Sequence, residues 1–362
     1  MIKKAISLLV LEQSLTMEQT AEVMEEITSG EVTPAQFGAF VTALRIKGET
    51  ADEIAGLASV MRAKAIRVMT SGPVIDIVGT GGDDSNSFNI STASAFVAAG
   101  AGIKVAKHNN RAMTSRCGSA DVLEASGMKI ELSASQVEEC LEQVGIGFMF
   151  APLFHPAMKF ATAPRREIGI RTIFNILGPL TNPALTESMV IGVPSEELGE
   201  KLVQVLHRLG SKHSLVVHGL NGMDEISIEG KSKVWELLDG EITNFNVSPE
   251  DFGLASAGVE TIRGGSPPEN AAILRSVLEG EKGPRRDVAL MNAAAAVVVS
   301  GRTEHRSGLP ALKEGLDIAV EAVDSGRALD SLQHLIELSQ SFNLGGSIDR
   351  SRTLDKLKNL AS

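Results

Sequence analysis

The stretch between residues 74 and 92 constrains the fold of this chain more than any other, because it combines three elements in a fixed order. Residues 74–78 are rich in Val and Ile, which is typical of a buried parallel strand. A glycine-rich turn follows at residues 79–82, and glycine lets the backbone bend sharply because it has no Cβ. The small residues 93–101 then favour a helix that begins within residues 89–92.

A strand, a glycine turn and a helix start together predict an anion-binding site. The first turn of a helix presents unpaired N–H groups and the positive end of its dipole. The stretch is not a P-loop, because no lysine follows the glycines, and its glycine spacing does not match the dinucleotide fingerprint. The alternative is a plain strand-to-helix turn whose glycines serve packing. The polar run Asn89-Ile90-Ser91-Thr92 favours the anion site over that alternative.

Length and composition narrow the class of protein. The 362 residues suffice for two domains or one large one, and no apolar run approaches the length of a membrane span. A formal net charge of −11, one Trp and no Tyr argue against a nucleic-acid partner. The two cysteines, Cys117 and Cys140, offer neither a disulfide framework nor a metal spacing, which fits a reducing cytoplasm. The N-terminus is typical of a helix rather than a signal peptide.

Residues 1–70 are predicted to form a small all-helical domain. Capping boxes mark the starts of three helices, at Thr16 with Gln19, Thr33 with Gln36, and Thr50 with Glu53. Apolar residues then recur at helical spacing, and no catalytic group appears among them. Such a domain either packs on the main domain or forms a subunit interface.

Residues 74–362 are predicted to form a larger α/β domain with a mostly parallel central sheet flanked by helices. Further predicted strands alternate with helical segments, which is the pattern of parallel sheets. These strands are Ile103–Ala106, Phe148–Phe150, Met189–Val193, Leu215–His218 and Val234–Leu238. Pro164–Leu177 is predicted as one helix that begins at its proline, and residues from 270 onward as mostly helical.

A polar segment, residues 107–119, directly follows the second predicted strand. It contains three cations, one His, two Asn and three hydroxyl groups. Ligands of open α/β sheets bind at the carboxyl ends of the strands, where these groups can neutralise phosphate. A solvated basic loop is the alternative, and the neighbouring glycine turn favours phosphate binding.

Two shorter motifs are weaker signals. Arg165, in Pro-Arg-Arg-Glu, offers a planar fork for a carboxylate, although such a sequence is also common on surfaces. Asp224 and Glu225 follow a predicted strand and suit Mg²⁺ bound partly through substrate phosphates, or else an exposed acidic turn. The histidines show no zinc pattern, and His155-Pro156 is interpreted as a turn.

These motifs occur together, and in order, in a known family. The chain resembles the anthranilate phosphoribosyltransferases, a family that shares its fold with the class II pyrimidine nucleoside phosphorylases. The resemblance covers nearly the whole chain. It rests on these motifs: Gly79-Thr80-Gly81-Gly82-Asp83, Asn89 to Thr92, Lys107 to Ser119, Pro164 to Thr172, Asn175 to Pro183, and Asp224-Glu225.

The resemblance implies Mg²⁺-dependent transfer of phosphoribose from phosphoribosyl pyrophosphate (PRPP) to anthranilate, a step of tryptophan biosynthesis. It also implies a cytoplasmic homodimer that associates through the helical domain. Helices near residues 164–185 would complete that domain. No nucleic-acid or membrane partner is implied. The alternatives are pyrimidine nucleoside phosphorolysis, which Arg165 and Asn110 argue against, and a non-enzymatic nucleic-acid binder, which the acidic composition argues against.

The family's functional residues carry over motif by motif. The residues implied for PRPP are Gly79, Gly82, Asp83, Ser87, Asn89, Ile90, Ser91, Thr92, Lys107, Asn110, Arg111, Ser115 and Ser119. The residues implied for anthranilate are Gly79, His108, Asn110 and Arg165, of which His108 and Arg165 are the candidate catalytic residues. Ser91, Asp224 and Glu225 are implied as Mg²⁺ ligands. Whether His108 positions the amine or takes its proton stays open.

The chain departs from the family pattern at a few positions. Asn109 replaces a glycine, which matters if the backbone there needs a positive φ. Cys117 replaces a serine and is expected to be a small packed residue, and Thr114 lies where serine is common. Asp84 stands where the family often has glycine, and its carboxylate is expected to point to solvent.

Overall fold

A single seven-stranded sheet forms the centre of the protein. The computed structural model describes residues 1–112 and 116–342. The strands are β1 (Ile75–Gly79), β2 (Val105–Asn109), β3 (Ile146–Phe150), β4 (Ser188–Gly192), β5 (His213–Gly219), β6 (Ser232–Leu238) and β7 (Glu241–Val247). Their order is β3-β2-β1-β4-β5-β6-β7, with β1 to β5 parallel and β6 and β7 antiparallel at one edge.

Fifteen α-helices surround this sheet in the described part of the chain. They are α1 (Ile2–Val10), α2 (Met17–Ser29), α3 (Pro34–Lys47), α4 (Ala51–Lys64), α5 (Ile90–Gly100), α6 (Ser119–Ala125), α7 (Ala134–Gln143), α8 (Ala151–Phe154), α9 (Lys159–Ile168), α10 (Phe174–Leu177), α11 (Glu196–Arg208), α12 (Pro267–Leu278), α13 (Pro284–Val299), α14 (Gly308–Asp324) and α15 (Arg327–Ser341). None of these helices has the length and apolar character needed to span a membrane.

The three predicted capping boxes are confirmed at the starts of α2, α3 and α4. The hydroxyls of Thr16, Thr33 and Thr50 each accept a hydrogen bond from the N–H three residues later, whose side chain bonds back to the cap. Pro34 occupies the first helical position of α3, where its missing N–H has no intrahelical partner to lose.

Each face of the sheet is buried under its own hydrophobic core. Alternate residues of a strand point to opposite faces, so Val190 belongs to one core and its neighbour Ile191 to the other. The first core also contains residues of α5, α6, α7 and α12 to α15. The second contains α1 to α4, α9 to α11 and residues of β6. The predicted fold class, a small helical domain with a larger, mostly parallel α/β domain, is confirmed.

Two details of the predicted secondary structure are wrong. The helix expected to begin at Pro164 begins at Lys159 and contains Pro164 in its interior. It ends at Gly169, whose φ of 68° is left-handed, and a separate helix starts at Phe174. The edge strand β7 was not predicted, because its mostly exposed side chains give it little apolar pattern.

Candidate active site

The carboxyl ends of the parallel strands lie at one edge of the sheet, and the candidate site residues cluster in the loops there. β1 ends at Gly79 and β5 at Gly219, next to the glycine turn and the Asp224 loop respectively. Gly81 and Gly82 adopt φ values of 71° and 81°, a region that favours glycine. The turn chemistry predicted for residues 79–82 is therefore required by the backbone.

Asp224 packs directly against the glycine turn. The N–H of Gly81 donates a hydrogen bond to Asp224 Oδ2 over 2.7 Å, although the two residues are 143 positions apart. A Cβ at Gly79 would collide with the same carboxylate, and a Cβ at Gly192 would collide with the Asp224 carbonyl. Two glycines at the ends of β1 and β4 thus make room for the acidic loop. Gly192 has this role although no motif pointed to it.

Three carboxylates share this small, largely buried volume. Burial, reinforced by the nearby charge of Asp83, raises the pKa of Asp224 to about 7. Burial and the charge of Asp224 also raise the pKa of Glu225 well above its usual range, while Lys107 opposes that shift. Asp83 Oδ2 is buried without a hydrogen-bond partner among the described residues. The cluster is short of positive charge.

The start of α5 brings Ser91 and Thr92 to the same region. The backbone N–H of Ser91 opposes the rise in the pKa of Glu225, and Thr92 Oγ1 donates to Ser119 Oγ over 3.1 Å. The N–H groups of Ile90 and Thr92 donate to carbonyls within the chain, at Phe88 and Asn89. The structure therefore differs from the expectation of unpaired N–H groups at this helix start, because nearby acceptors already engage them.

Lys107 is buried and points into the protein. Its Nζ donates to the Ile77 carbonyl over 2.7 Å and to Ser91 Oγ over 3.3 Å. Burial lowers the pKa of Lys107 to about 8, which the charges of Asp76 and Glu225 oppose. The structure thus places this lysine between the carboxylates and Ser91, where its charge supports both.

The segment after β2 divides into parts with different surroundings. Arg111 forms salt bridges with Asp121 at 3.1 Å and Glu124 at 2.7 Å, so its guanidinium faces α6. Asn110 Oδ1 accepts a hydrogen bond from the Arg111 N–H, and its amide NH₂ has no acceptor among residues 1–112 and 116–342. Ser87 joins Arg263 in an isolated β-bridge. The predictions for Ser115 and Thr114 lie outside the described residues.

His108 and Arg165 lie on different elements. His108 is at the end of β2, buried, and neither ring nitrogen has a hydrogen-bond partner among the described residues. Arg165, on α9, places its guanidinium 5.5 Å from the centroid of the Phe174 ring and donates to the Phe174 carbonyl over 3.4 Å. It has no carboxylate partner within residues 1–112 and 116–342, so its charge is free for an anionic group.

His155 lies between α8 and the 3₁₀ helix Pro156–Met158, which agrees with the turn predicted at His155-Pro156, and its buried imidazole lies beside His108. The two ring centroids are 5.0 Å apart, and His155 Nε2 lacks a hydrogen-bond partner in the described ranges. Burial lowers the pKa of His155 to about 4 and that of His108 to about 3, the latter helped by repulsion from His155. Both rings are therefore neutral at pH 7.

Arg171 and Asn270 are further site residues that the motifs did not single out. Arg171 Nη2 donates to the Gly81 carbonyl over 2.9 Å, and a Cβ at Gly82 would collide with its guanidinium. Asn270 Nδ2 donates to Asn89 Oδ1 over 2.9 Å from α12. Arg171 lies within a motif that carried the family resemblance, which is the signal that could have found it.

The departures from the family pattern have simple local explanations. Asn109 pairs with Phe150 in the sheet and is not among the described residues with a positive φ, so its backbone does not need glycine. Asp84 is exposed, as expected, and its φ of 54° explains why glycine suits this position. Cys117 is buried, and burial raises the pKa of its thiol to about 11, which makes it an unreactive packed residue.

The donor set suits Mg²⁺. The carboxylates of Asp224 and Glu225 and the Ser91 hydroxyl are hard oxygen donors, and the charge of Lys107 offsets only part of the rise in the pKa of Glu225. In the described part of the chain, no three His, Cys, Asp or Glu side chains form a group that could hold a metal ion. In enzymes that act on phosphates, Mg²⁺ binds one or two carboxylates of the protein and takes its other ligands from the substrate's phosphates and water. Asp224 and Glu225 match that number of carboxylates.

Comparisons with known proteins agree with this geometry. The helical bundle domain of a glycosyl transferase family matches residues 3–65, and the a/b domain of that family matches residues 71–329. The anthranilate phosphoribosyltransferase of Dehalococcoides mccartyi is 60% identical over 347 residues, which are 95% of this chain and 100% of that protein.

Two solved structures extend the similarity to the fold. The anthranilate phosphoribosyltransferase of Thermus thermophilus is 42% identical, with a TM-score of 0.86 over 93% of this chain and 99% of that one. The enzyme of Saccharomyces cerevisiae, in complex with PRPP and Mg, is 31% identical. Its TM-score is 0.85, over 94% of this chain and 98% of that one. This chain belongs to the anthranilate phosphoribosyltransferase family.

Proposed function

We propose that this chain transfers the phosphoribosyl group of PRPP to the amine of anthranilate, giving N-(5-phosphoribosyl)anthranilate and pyrophosphate in tryptophan biosynthesis. The observation that carries the proposal is the packing of Asp224 against Gly81, which joins the glycine turn and the acidic loop into one site. The high identity to family members over nearly the whole chain supports it.

The reaction breaks the bond between the sugar C1 and the pyrophosphate oxygen and forms a bond between C1 and the amine nitrogen. The bonding electrons leave with pyrophosphate, and the sugar passes through an oxocarbenium-like state, as in other glycosyl transfers. The nitrogen then loses one proton. An aromatic amine is neutral at pH 7, so it needs positioning more than activation.

The pyrophosphate end of PRPP would bind at the glycine turn and the start of α5. Gly79, Gly82, Asp83, Asn89, Ser91 and Thr92 line this region, and Lys107 supports Ser91 through its 3.3 Å contact. Mg²⁺ held by Ser91, Asp224 and Glu225 would neutralise charge that builds on the leaving group. A cation would also favour the ionised forms of Asp224 and Glu225, whose pKa values burial and nearby negative charge raise.

The anthranilate end would lie toward Arg165, His108 and Asn110. Arg165 offers a guanidinium fork to the substrate carboxylate, and no carboxylate of the described residues competes for it. His108 is neutral at pH 7 and its ring nitrogens have no partner among the described residues, so it can hydrogen-bond the amine. Its lowered pKa makes it a weak base, which suffices for the strongly acidic proton of the anilinium product.

The fluorescence of anthranilate provides the direct test. We expect it to fall when the purified protein is mixed with both PRPP and Mg²⁺, and to stay constant when either is omitted. The Asp224→Asn, Glu225→Gln double variant should need much more Mg²⁺ for the same rate. A folded protein that binds PRPP but leaves anthranilate unchanged would overturn the proposed acceptor, and release of a free base from a pyrimidine nucleoside with phosphate would then assign phosphorolysis.

We also propose that the protein acts as a cytoplasmic homodimer that associates through its helical domain. Val10 and Leu11 at the end of α1 are each 68% exposed, and Ile46 at the end of α3 is 81% exposed. The two ends are close, since Lys47 Nζ lies 3.4 Å from Ser14 Oγ. Burial of such side chains at an interface would be favourable. Light scattering should give twice the chain mass for the native protein and the single mass for Leu11→Glu with Ile46→Glu.

A further inference from the structure

Asn292, in the middle of α13, holds the residue that directly follows the two candidate metal ligands. Ile226 N–H donates to Asn292 Oδ1 over 2.9 Å, and Asn292 Nδ2 donates to the Ile226 carbonyl over 3.0 Å. Nδ2 also donates to the Val288 carbonyl, one turn earlier in the same helix, over 2.9 Å. The Asn292 side chain is completely buried, and its three hydrogen bonds involve the amide oxygen and both N–H groups.

This pair of bonds imitates the pairing of two β-strands. A single side chain satisfies both backbone groups of Ile226 in a region where no water can replace it. The N–H of Ile226 belongs to the peptide unit that it shares with Glu225, so the hydrogen bond fixes the backbone at the metal ligand itself. The acidic loop lies between β5 and β6 and has no secondary structure of its own at Asp224 and Glu225.

The same helix supports the other side of the site. α13 packs against α5, whose Ser94 Oγ donates to the Ala289 carbonyl over 2.9 Å. α5 begins with the segment that contains Ser91, the third candidate metal ligand. α13 is therefore a common support for the two parts of the chain that must converge on one ion.

We infer that Asn292 is a positioning residue that sets the placement of Asp224 and Glu225 relative to Ser91, and so controls the affinity for Mg²⁺. This inference rests on the proposed function for its metal. No motif around residue 292 identified it, because an Ala-rich helix looks like ordinary core in the sequence. The asparagine, which lies between Met291 and Ala293 in this apolar helix, supplies both the donor and the acceptor that pair with the backbone of Ile226.

The first measurement is amide hydrogen exchange of the peptide around Ile226, without ligands. In the native protein we expect the Ile226 amide to be protected as strongly as the amides of α13, and rapid exchange would overturn the inference without any variant. In Asn292→Leu, which keeps the branching of the side chain, is somewhat bulkier and removes the pairing, exchange at Ile226 should become at least tenfold faster. Ser300→Ala, which removes a 2.7 Å hydrogen bond to the Val297 carbonyl at the C-terminal end of the same helix, is the matched control and should leave this amide unchanged.

The second measurement is binding of Mn²⁺, followed by electron paramagnetic resonance in the presence of PRPP. Asn292→Leu should weaken Mn²⁺ binding at least tenfold and raise the Mg²⁺ concentration for half-maximal rate equally, while KM for anthranilate stays within about twofold. Ser300→Ala should match the native protein in both Mn²⁺ affinity and Mg²⁺ requirement, because the Ser300 hydroxyl hydrogen-bonds to neither α5 nor the acidic loop. If the loop loosens but Mn²⁺ binding does not change, the positioning role is wrong.

The two proposals can fail separately. Loss of protection and of Mn²⁺ affinity in a chain that does not consume anthranilate would leave Asn292 as a positioning residue and overturn only the acceptor. If the native protein consumes anthranilate and Asn292→Leu binds Mn²⁺ as tightly as the native protein, the proposed function stands and the positioning role of Asn292 is wrong. If Asn292→Leu does not fold, Asn292→Asp preserves the shape, and its repulsion of the Ile226 carbonyl should weaken Mn²⁺ binding more at pH 8 than at pH 6.

Discussion

The imidazole rings of His108 and His155 pack against each other at the edge of the sheet, with centroids 5.0 Å apart and planes inclined by 55°. Burial lowers the pKa of His108 to about 3 and of His155 to about 4. In the unfolded chain each histidine takes up a proton near pH 6.5. The pair therefore stabilises the folded protein fully above pH 6.5, and this contribution is lost as pH falls toward 4.

The first prediction is a loss of acid sensitivity when both rings are replaced. Asp76 and Asp224 have raised pKa values, about 6 and about 7, and act with the opposite sign in the same range, so only a difference between variants isolates the histidines. Between pH 7.5 and 5, the free energy of unfolding of the native protein should fall by roughly 2–4 kcal/mol more than that of His108→Asn with His155→Asn. Urea denaturation at the two pH values measures this. An equal fall in the free energy of unfolding for the native protein and the double variant would contradict this prediction.

The second prediction concerns Arg171, which donates to the Gly81 carbonyl and lies over Gly82. Arg171→Met should raise KM for PRPP roughly tenfold, which corresponds to about 1.4 kcal/mol, because a charge-assisted hydrogen bond that shapes the glycine turn is lost. Arg166→Met is the matched control, since Arg166 is exposed on the neighbouring helix α9. Steady-state kinetics with PRPP varied will decide, and an equal change in both variants would refute the role.

The third prediction separates the two substrates. Arg165→Ala should raise KM for anthranilate about 10- to 100-fold, because a bidentate pair with a carboxylate is lost. KM for PRPP should stay within about threefold. Arg165→Lys should recover only part of the affinity, since an ammonium lacks the planar fork. An equal loss for both substrates would remove Arg165 from the anthranilate side.

The fourth prediction concerns Asp84, whose left-handed backbone and exposed carboxylate lie beside the glycine turn. Asp84→Gly should stabilise the protein by up to about 1 kcal/mol, because glycine adopts this φ without strain. It should also lower KM for PRPP roughly twofold at low salt, because one repelling charge is gone. Asn86→Gly, with a φ of 52° and no charge, controls for the backbone effect and should leave KM unchanged. Thermal unfolding and kinetics at two salt concentrations provide the test.

Local structure could be read from the sequence where neighbouring residues decide it. The caps at Thr16, Thr33 and Thr50 formed as predicted because each motif spans four residues and satisfies its own N–H groups. The left-handed turn at Gly81 and Gly82 was likewise inherent in the residue type. The family resemblance extended such local motifs to a fold class that the structure confirmed.

Long-range contacts decided what local motifs could not. The direction of Lys107, into the interior toward Ile77 and Ser91, depends on which strands become neighbours. Three further contacts join segments that are distant in the chain. They are the packing of His155 against His108, the space that Gly192 leaves for Asp224, and the hydrogen bonds between Asn292 and Ile226. The sequence by itself determined the helix caps and the glycine turn, because backbone sterics and capping act over a few residues. The tertiary structure decided burial, charge balance and hydrogen-bond partners at the site, because these depend on the residues that folding brings together.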